Sequence, residues 1–247
     1  MYELEYENSD ELCRKMAEVQ DTVILAFSTG KDSIAAWLQL RKYFRRVIPF
    51  YKYVVPGLSF VENSLKYYED FFGCHIYQFP HPAYYRVMQN LVYQPPYRMG
   101  EIVQWGVDTK WDYTEEYLAD IIRYKEHLPD DVYTATGVRA ADSPYRHVAV
   151  VAHGAINNNK RSFWPVYDWK KADLLREIDA AGVKLPVDYR WFGRTFDGLD
   201  YRFMKPLMEH SPADFELVLK HFPFADLSIV RWEGVDSVPK RTVEDIE

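Results

Sequence analysis

The chain predicts an α/β fold: a doubly wound, mostly parallel sheet with helices on both faces and a helical or irregular C-terminal extension. Three observations carry this. Apolar runs alternate with helix-period stretches in a β-α-β-α-β rhythm over the first third of the chain. The run Val23-Ile24-Leu25-Ala26-Phe27 is continuously apolar, as a parallel strand buried on both faces requires. Behind it, Ser28-Thr29-Gly30-Lys31-Asp32-Ser33 turns directly into a helical pattern, at the strand end where such sheets bind ligands.

The elements follow in order. Glu11 to Val19 reads as a helix, with Leu12, Met16 and Val19 on one side. In the helix after Ser33, Ile34, Trp37 and Leu38 fall at i, i+3 and i+4 and should pack on the sheet. A second strand, Val47 to Val55, closes in Pro56-Gly57. Ser59 or Asn63 can cap a helix running to Phe72, and Gly73 is placed to end it. His75 to Phe79 is a third strand, ended by Pro80 and Pro82. A helix is expected from Ala83 to Tyr93, then a loop over 94–112, then a helix from Tyr113 to Leu128. Asp131 to Thr136 is a fourth strand, and His153 to Ser162 a turn or flexible loop. Lys170 to Ala181 reads as a helix ended by Gly182, 183–206 as loop, and a last helix starts near Ser211 and ends by Pro223. The charged tail from Glu233 is expected to fray.

Composition narrows the function. Hydrophobic residues at 48% and charged residues at 27% are ordinary for a globular chain of 247 residues, large enough for a substantial core. The formal net charge of −7 does not indicate a nucleic-acid partner. The chain shows neither an apolar leader nor an 18-residue apolar run, so the expectation is a cytoplasmic protein with no membrane partner. Cys13 and Cys74 stand far apart with no C-x-x-C, which supports no disulfide scaffold, zinc ribbon or cysteine-held iron–sulfur cluster. Histidines such as His75 and His81 form no H-x-x-x-H pair and read as isolated.

At the turn, Ser28, Thr29 and Ser33 supply hydroxyls and Lys31 an ammonium to the amides of a helix start, a set suited to polyphosphate. The G-x-x-x-x-G-K-[ST] pattern fails, because its first glycine is missing and Asp32 follows Lys31; G-x-G-x-x-G fails too. The residues are similar to the S-G-G-x-D-S loop of the PP-loop ATP pyrophosphatases, with Thr29 in place of the first glycine. Within that superfamily the chain resembles the phosphoadenosine phosphosulfate reductase family, which includes the small subunit of ATP sulfurylase. Three stretches carry the resemblance: Val54 to Glu62 after the second strand; Gly137-Val138-Arg139 with Asp142-Ser143 and Arg146; and Trp164 to Trp169 with Asp173. Together with the turn they span about residues 20–180 in the family's order.

The resemblance implies a Rossmann-like adenine nucleotide α-hydrolase domain over 1–182, with 183–247 as a C-terminal extension packed on it. It implies ATP with its β,γ-phosphates on Ser28, Thr29, Gly30, Lys31, Asp32 and Ser33. Lys31 and Ser33 would bind phosphate, and Asp32 would lie near Mg²⁺ or brace the loop. Gly137 belongs to the implied nucleotide site. Arg139 and Arg146 suit a second anion, since guanidinium offers paired donors; the alternative is an ion pair with Asp142 or another carboxylate. Glu62 is equally explained by the dipole of the helix it starts.

Departures from the family matter as much. The resembling reductases need a catalytic cysteine near the C-terminus, and no cysteine follows Cys74. Where the family often has a threonine cap this chain has Lys170, and Asp168 could cap that helix instead. Arg190, Arg194, Arg202 and Lys205 interleave with Trp191, Phe192, Tyr201 and Phe203, which suits either an anionic partner or a loop of cation–π and ion pairs; Asp197 and Asp200 suit either substrate binding or a turn. The resulting expectation is an ATP-dependent nucleotidyl transferase in which Lys31 and Arg139 are catalytic, AMP passes to an unknown acceptor and pyrophosphate leaves. Alternatives are a nucleotide-binding module acting through a protein partner, and a sulfonucleotide reductase with an external thiol; the expected partners are an adenine nucleotide, an unknown acceptor and either a protein partner or further copies of the chain.

Overall fold

The computed structural model describes residues 4–109 and 114–234. Residues 110–112 of the expected loop, the expected helix start Tyr113 and the tail beyond Gly234 lie outside them. The chain forms two compact units that interleave along the sequence, so no single cut near residue 182 separates them. The first takes the described residues of Met1–Lys52, Leu65–Phe79 and Thr114–Pro186. The second takes Tyr53–Ser64, the described part of Pro80–Tyr113, and residues from Val187 onward.

Elements run α1 (Ser9–Val19), β1 (Thr22–Ala26), α2 (Lys31–Leu40), β2 (Arg46–Tyr53), α3 (Ser59–Phe72), β3 (Tyr77–Pro80), α4 (Pro82–Gln89), α5 (Met99–Thr109) and α6 (Glu115–Lys125). They continue with β4 (Thr134–Thr136), α7 (Pro144–His153), β5 (Ile156–Asn157), β6 (Ser162–Phe163), α8 (Lys171–Ala181), α9 (Asp188–Trp191), α10 (Tyr201–His210), α11 (Pro212–His221) and α12 (Leu227–Glu233). Among the described residues the strands form one sheet in the order β3-β2-β1-β4-β6-β5. β1 is parallel to β2 (Ala26 opposite Phe50) and to β4 (Ala26 opposite Thr136); β4 and β6 are parallel, and β5 pairs antiparallel with β6. The expected doubly wound, mostly parallel sheet is what forms.

Side-chain alternation explains why both faces are covered. Ile24, Ile48 and Phe50 pack with Leu118, Ala119 and Ile122 of α6 on one face. On the other, Phe27 meets Trp37 of α2 and Tyr68 of α3 edge to face, at 4.9 and 5.2 Å between centroids. Trp37 also stacks on Phe72 at 3.8 Å. Helix α2 is buried from Ser33 to Leu40, beyond the single stripe expected of it, because α1 and α8 pack against it as well. Gly73 and Gly182 take left-handed φ values of 72° and 68° directly behind α3 and α8, the stop signals read from the sequence.

Several expectations are corrected. The segment 94–112, expected as loop, carries a 3-10 turn at Pro96–Arg98 and then α5. Residues 183–206 are not loop throughout: α9 lies within them and α10 begins at Tyr201. His153 to Ser162 contains β5 and the start of β6, and α7 and α12 have no counterpart in the sequence reading. Asp168 does not cap α8. Its carboxylate accepts from the Ser9 amide at 3.1 Å and from the Ser9 hydroxyl, while Asp173 accepts from the Lys170 amide at 2.9 Å.

In the second unit an aromatic cluster of Phe60, Trp191, Phe192, Phe196 and Phe203 supplies much of the core. Buried Asp214 accepts from the Ser59 amide and hydroxyl, both at 2.7 Å, and from the Ser211 hydroxyl at 2.8 Å, which anchors the start of α3. No helix among the described residues is long and apolar enough to cross a membrane.

Candidate nucleotide site

The chain leaves β1 towards β2 on one side, whereas β1's other neighbour is β4. The loops after β1 and β4 therefore diverge from adjacent strand ends at the point where strand order reverses, the place where open α/β sheets bind ligands. Ser28–Ser33 follows β1 and Gly137–Arg146 follows β4. Topology thus brings together two motifs more than a hundred residues apart.

The first loop is braced from within. Ser33 Oγ donates to the Gly30 carbonyl at 2.9 Å and accepts from the Ser28 amide at 3.1 Å and the Ser28 hydroxyl at 3.2 Å. The Ser33 hydroxyl thus shapes the loop. Thr29 is buried with φ at 58°, a conformation costly for a β-branched residue, and its hydroxyl donates to the Ser28 carbonyl at 2.7 Å. Gly30 begins α2 with no side chain to cap it. First-turn helix amides have no intrahelical acceptor, so an uncapped start at a strand end favours an anion.

The second loop presses against the first. A Cβ on Gly137 would lie 2.7 Å from the Asp32 carbonyl carbon and oxygen and 2.8 Å from the Ser33 amide nitrogen. Only glycine admits that approach, so Gly137 serves packing between the loops.

Across this contact runs an alternating chain of charges. Lys31 Nζ lies 2.7 Å from Asp32 Oδ2, and Arg139 Nε lies 2.7 Å from Asp32 Oδ1. The second contact is not aligned as a hydrogen bond, and neither of its two buried atoms has a hydrogen-bond partner among the described residues. Asp142 Oδ1 accepts from Arg139 Nη2 at 2.6 Å; its Oδ2 accepts from the Arg139 amide at 3.1 Å and from Arg146 Nη1 at 2.8 Å. Arg139 is 6% exposed and also reaches the Trp169 carbonyl at 3.4 Å, whereas Arg146 is largely open to solvent. The ion-pair alternative weighed for both arginines is present in this structure. It leaves Arg139 buried beside the loop and Arg146 at its rim.

The third motif also arrives here, since the Ala140 amide donates to the Tyr167 carbonyl at 2.8 Å. Val54 to Glu62 falls in the second unit, with Glu62 in the first turn of α3. The Arg/aromatic segment resolves into ion pairs and cation–π contacts: Arg194 with Asp197, Arg202 with Asp200 at 2.7 Å, Lys205 with Glu233 at 3.0 Å, and both arginines over Phe203. Asp200 caps α10 through the Arg202 amide, and the Arg202 side chain holds its carboxyl below the ordinary range. His81 caps α4 and exposed His75 pairs with Glu69. Among the described residues no three His, Cys, Asp or Glu gather as a metal site. Cys13 is buried against the Pro165 carbonyl and burial pushes its thiol up; burial raises Cys74 as well. Sequence reasoning offered Asp142 as an ion-pair partner for both arginines, and the structure has it there; what it did not read is that the same carboxylate also takes the Arg139 backbone N–H.

No protein-family model matches the chain, and no curated protein matches it. Among solved structures the chain is similar to the U34-tRNA thiolase NcsA from Methanococcus maripaludis, determined with its 4Fe-4S cluster. The identity is 13% and the TM-score 0.47, over 88% of this chain and 78% of that one. A likeness of that size assigns neither a family nor a reaction to this chain.

Proposed function

We propose that the chain is a PP-loop protein that binds ATP after β1 and cleaves it between the α- and β-phosphates. The observation that carries the proposal is the Ser28–Ser33 loop, with its left-handed Thr29 and uncapped helix start, meeting buried Arg139 where strand order reverses. In this reading the α2 amides and Lys31 hold the β,γ-phosphates, and Arg139 stabilises charge on the α-phosphate or on the attacking oxygen. An acceptor oxygen forms a bond to the α-phosphorus, the bond to the bridging oxygen breaks, and pyrophosphate leaves on the loop. Arg146, at the rim, offers the acceptor a second cation.

Asp32 acts as a brace. Each of its oxygens already lies against a cation, so the residues here do not fit a protein-held Mg²⁺, and no step is assigned to that ion. Cysteine chemistry has no part in the reading, because both thiols are shifted away from thiolate by burial and sit on other elements. The resemblance to the phosphoadenosine phosphosulfate reductase family then extends to the nucleotide grip and not to thiol reduction.

The test is pyrophosphate release from ATP across oxyanion and carboxylate acceptors, with Lys31→Ala and Arg139→Ala as controls. Release that both substitutions abolish is expected. Tight ATP binding with no turnover on any acceptor would replace the enzyme with a binding module that acts through a partner. A titration that prefers phosphoadenosine phosphosulfate over ATP would favour a reductase using an external thiol.

A further inference from the structure

We infer that Asp142 is a positioning residue that sets the orientation of Arg139 towards the nucleotide. The inference rests on the reading that Arg139 faces bound phosphate. The geometry is particular to this carboxylate. One side chain receives both the backbone N–H and the guanidinium of residue 139, and a third donor from Arg146. Backbone and side chain of Arg139 are thus tied to the same anchor, which leaves its rotamer little freedom. Asp32, the other acid against Arg139, makes a contact without hydrogen-bond alignment and cannot fix the plane of the guanidinium. Asp142 restrains it, because one carboxylate accepts both a guanidinium N–H and the backbone N–H of the same residue, while the Trp169 carbonyl takes a second guanidinium N–H at 3.4 Å.

Charge and positioning predict opposite signs for Asp142→Asn. Removing a negative charge beside an anion site should tighten anion binding if charge were the whole effect. Asparagine also places an amide donor among three donors, so Arg139 loses an anchor, and positioning predicts weaker binding. Loss of a hydrogen bond to a charged group corresponds to about a tenfold loss or more in affinity.

The experiment titrates ATP into wild type, Asp142→Asn, Arg139→Ala and the double variant, with Asp142→Glu as the conservative replacement. Ser143→Ala is the control for local folding, because Ser143 Oγ caps α7 through the Arg146 amide at 3.2 Å without touching Arg139. About tenfold weaker binding by Asp142→Asn, partial recovery by Asp142→Glu and less than about twofold further loss in the Arg139→Ala background are expected. Equal losses in both backgrounds, or tighter binding by Asp142→Asn, would overturn the inference. A parallel measurement needs no nucleotide: the Arg139 Nη2–H resonance, whose proton goes to Asp142 Oδ1, should exchange slowly in wild type and Ser143→Ala and broaden in Asp142→Asn. An unchanged resonance overturns the inference. A wild type that binds no ATP overturns the functional reading instead, and leaves the resonance to decide the role of Asp142.

Discussion

Gly137→Ala puts the contact between the two site loops under direct strain. The added Cβ would stand 2.7 Å from the carbonyl carbon and oxygen of Asp32 and 2.8 Å from the Ser33 amide nitrogen. Carbon contacts are comfortable only from about 3.5 Å, so the loops must part by nearly an ångström. All three opposing atoms are backbone in the first turn of α2, which no rotamer change can move aside. Overpacking of this kind costs about 1–3 kcal/mol, and the rigid obstacle argues for the upper half of that range. With a urea slope of about 2 kcal/mol per molar, the unfolding midpoint of the sheet unit should fall by about 1 M at unchanged slope. The parting also pulls Arg139 from Asp32, a contact of 2.7 Å, so ATP affinity should fall in the folded variant. Circular dichroism in urea and an ATP titration in buffer measure the two effects. A midpoint within about 0.2 M of wild type and unchanged ATP affinity would refute the packing role assigned to Gly137.

Lys31→Ala should weaken ATP binding by about ten- to a hundredfold while changing stability by less than about 1 kcal/mol, because its pair with Asp32 is partly solvated; calorimetric titration and thermal unfolding test the two halves. The Cys13→Ala, Cys74→Ala double variant should keep its pyrophosphate release, although filling Cys13's buried site with alanine lowers stability; loss of turnover in the folded variant would restore thiol chemistry. His221 is held below its ordinary 6.5, first by burial and then by Arg98. Its unfolded form takes a proton near 6.5 and its folded form only at lower pH, so its contribution is whole above 6.5 and is lost as pH falls through the folded value. The free energy of unfolding read from urea curves should therefore drop as pH falls below about 6.5, by up to about 1.4 kcal/mol per pH unit, and the drop should shrink in His221→Gln.

How much was legible depends on the range of the interaction that decides each element. The alternation of β1, α2, β2, α3 and β3 is written in contiguous residues: an unbroken apolar strand, an adjacent loop, and Gly73 at a helix end. α5 is hidden because Gly100 and Gly106 interrupt it, and its apolar Met99, Val103 and Val107 stay exposed rather than forming a buried stripe. α7 buries no residue at all, so its run of valines and alanines shows no period. β5 and β6 are two residues each, too short for alternation to register. Asp168 was misread because its partner is Ser9, at the far end of the unit's sequence. The site divides the same way. The Ser28–Ser33 loop is readable as a local string, whereas the meeting of Asp32 with Arg139 depends on β1 lying beside β4.

That same pairing shapes how the chain is made. β1 acquires β2 soon after synthesis, but its other edge waits for Thr134–Thr136, about 110 residues later. At roughly 5–20 residues per second the interval lasts about 5–20 s. Throughout it, Val23, Ile24 and Leu25, all fully buried in the finished fold, belong to a strand with one open edge. The strand that leads into the Ser28–Ser33 loop thus stays open to wrong pairing until β4 is made. Aggregation during expression should then track the delay before β4 emerges more closely than the stability of the finished protein.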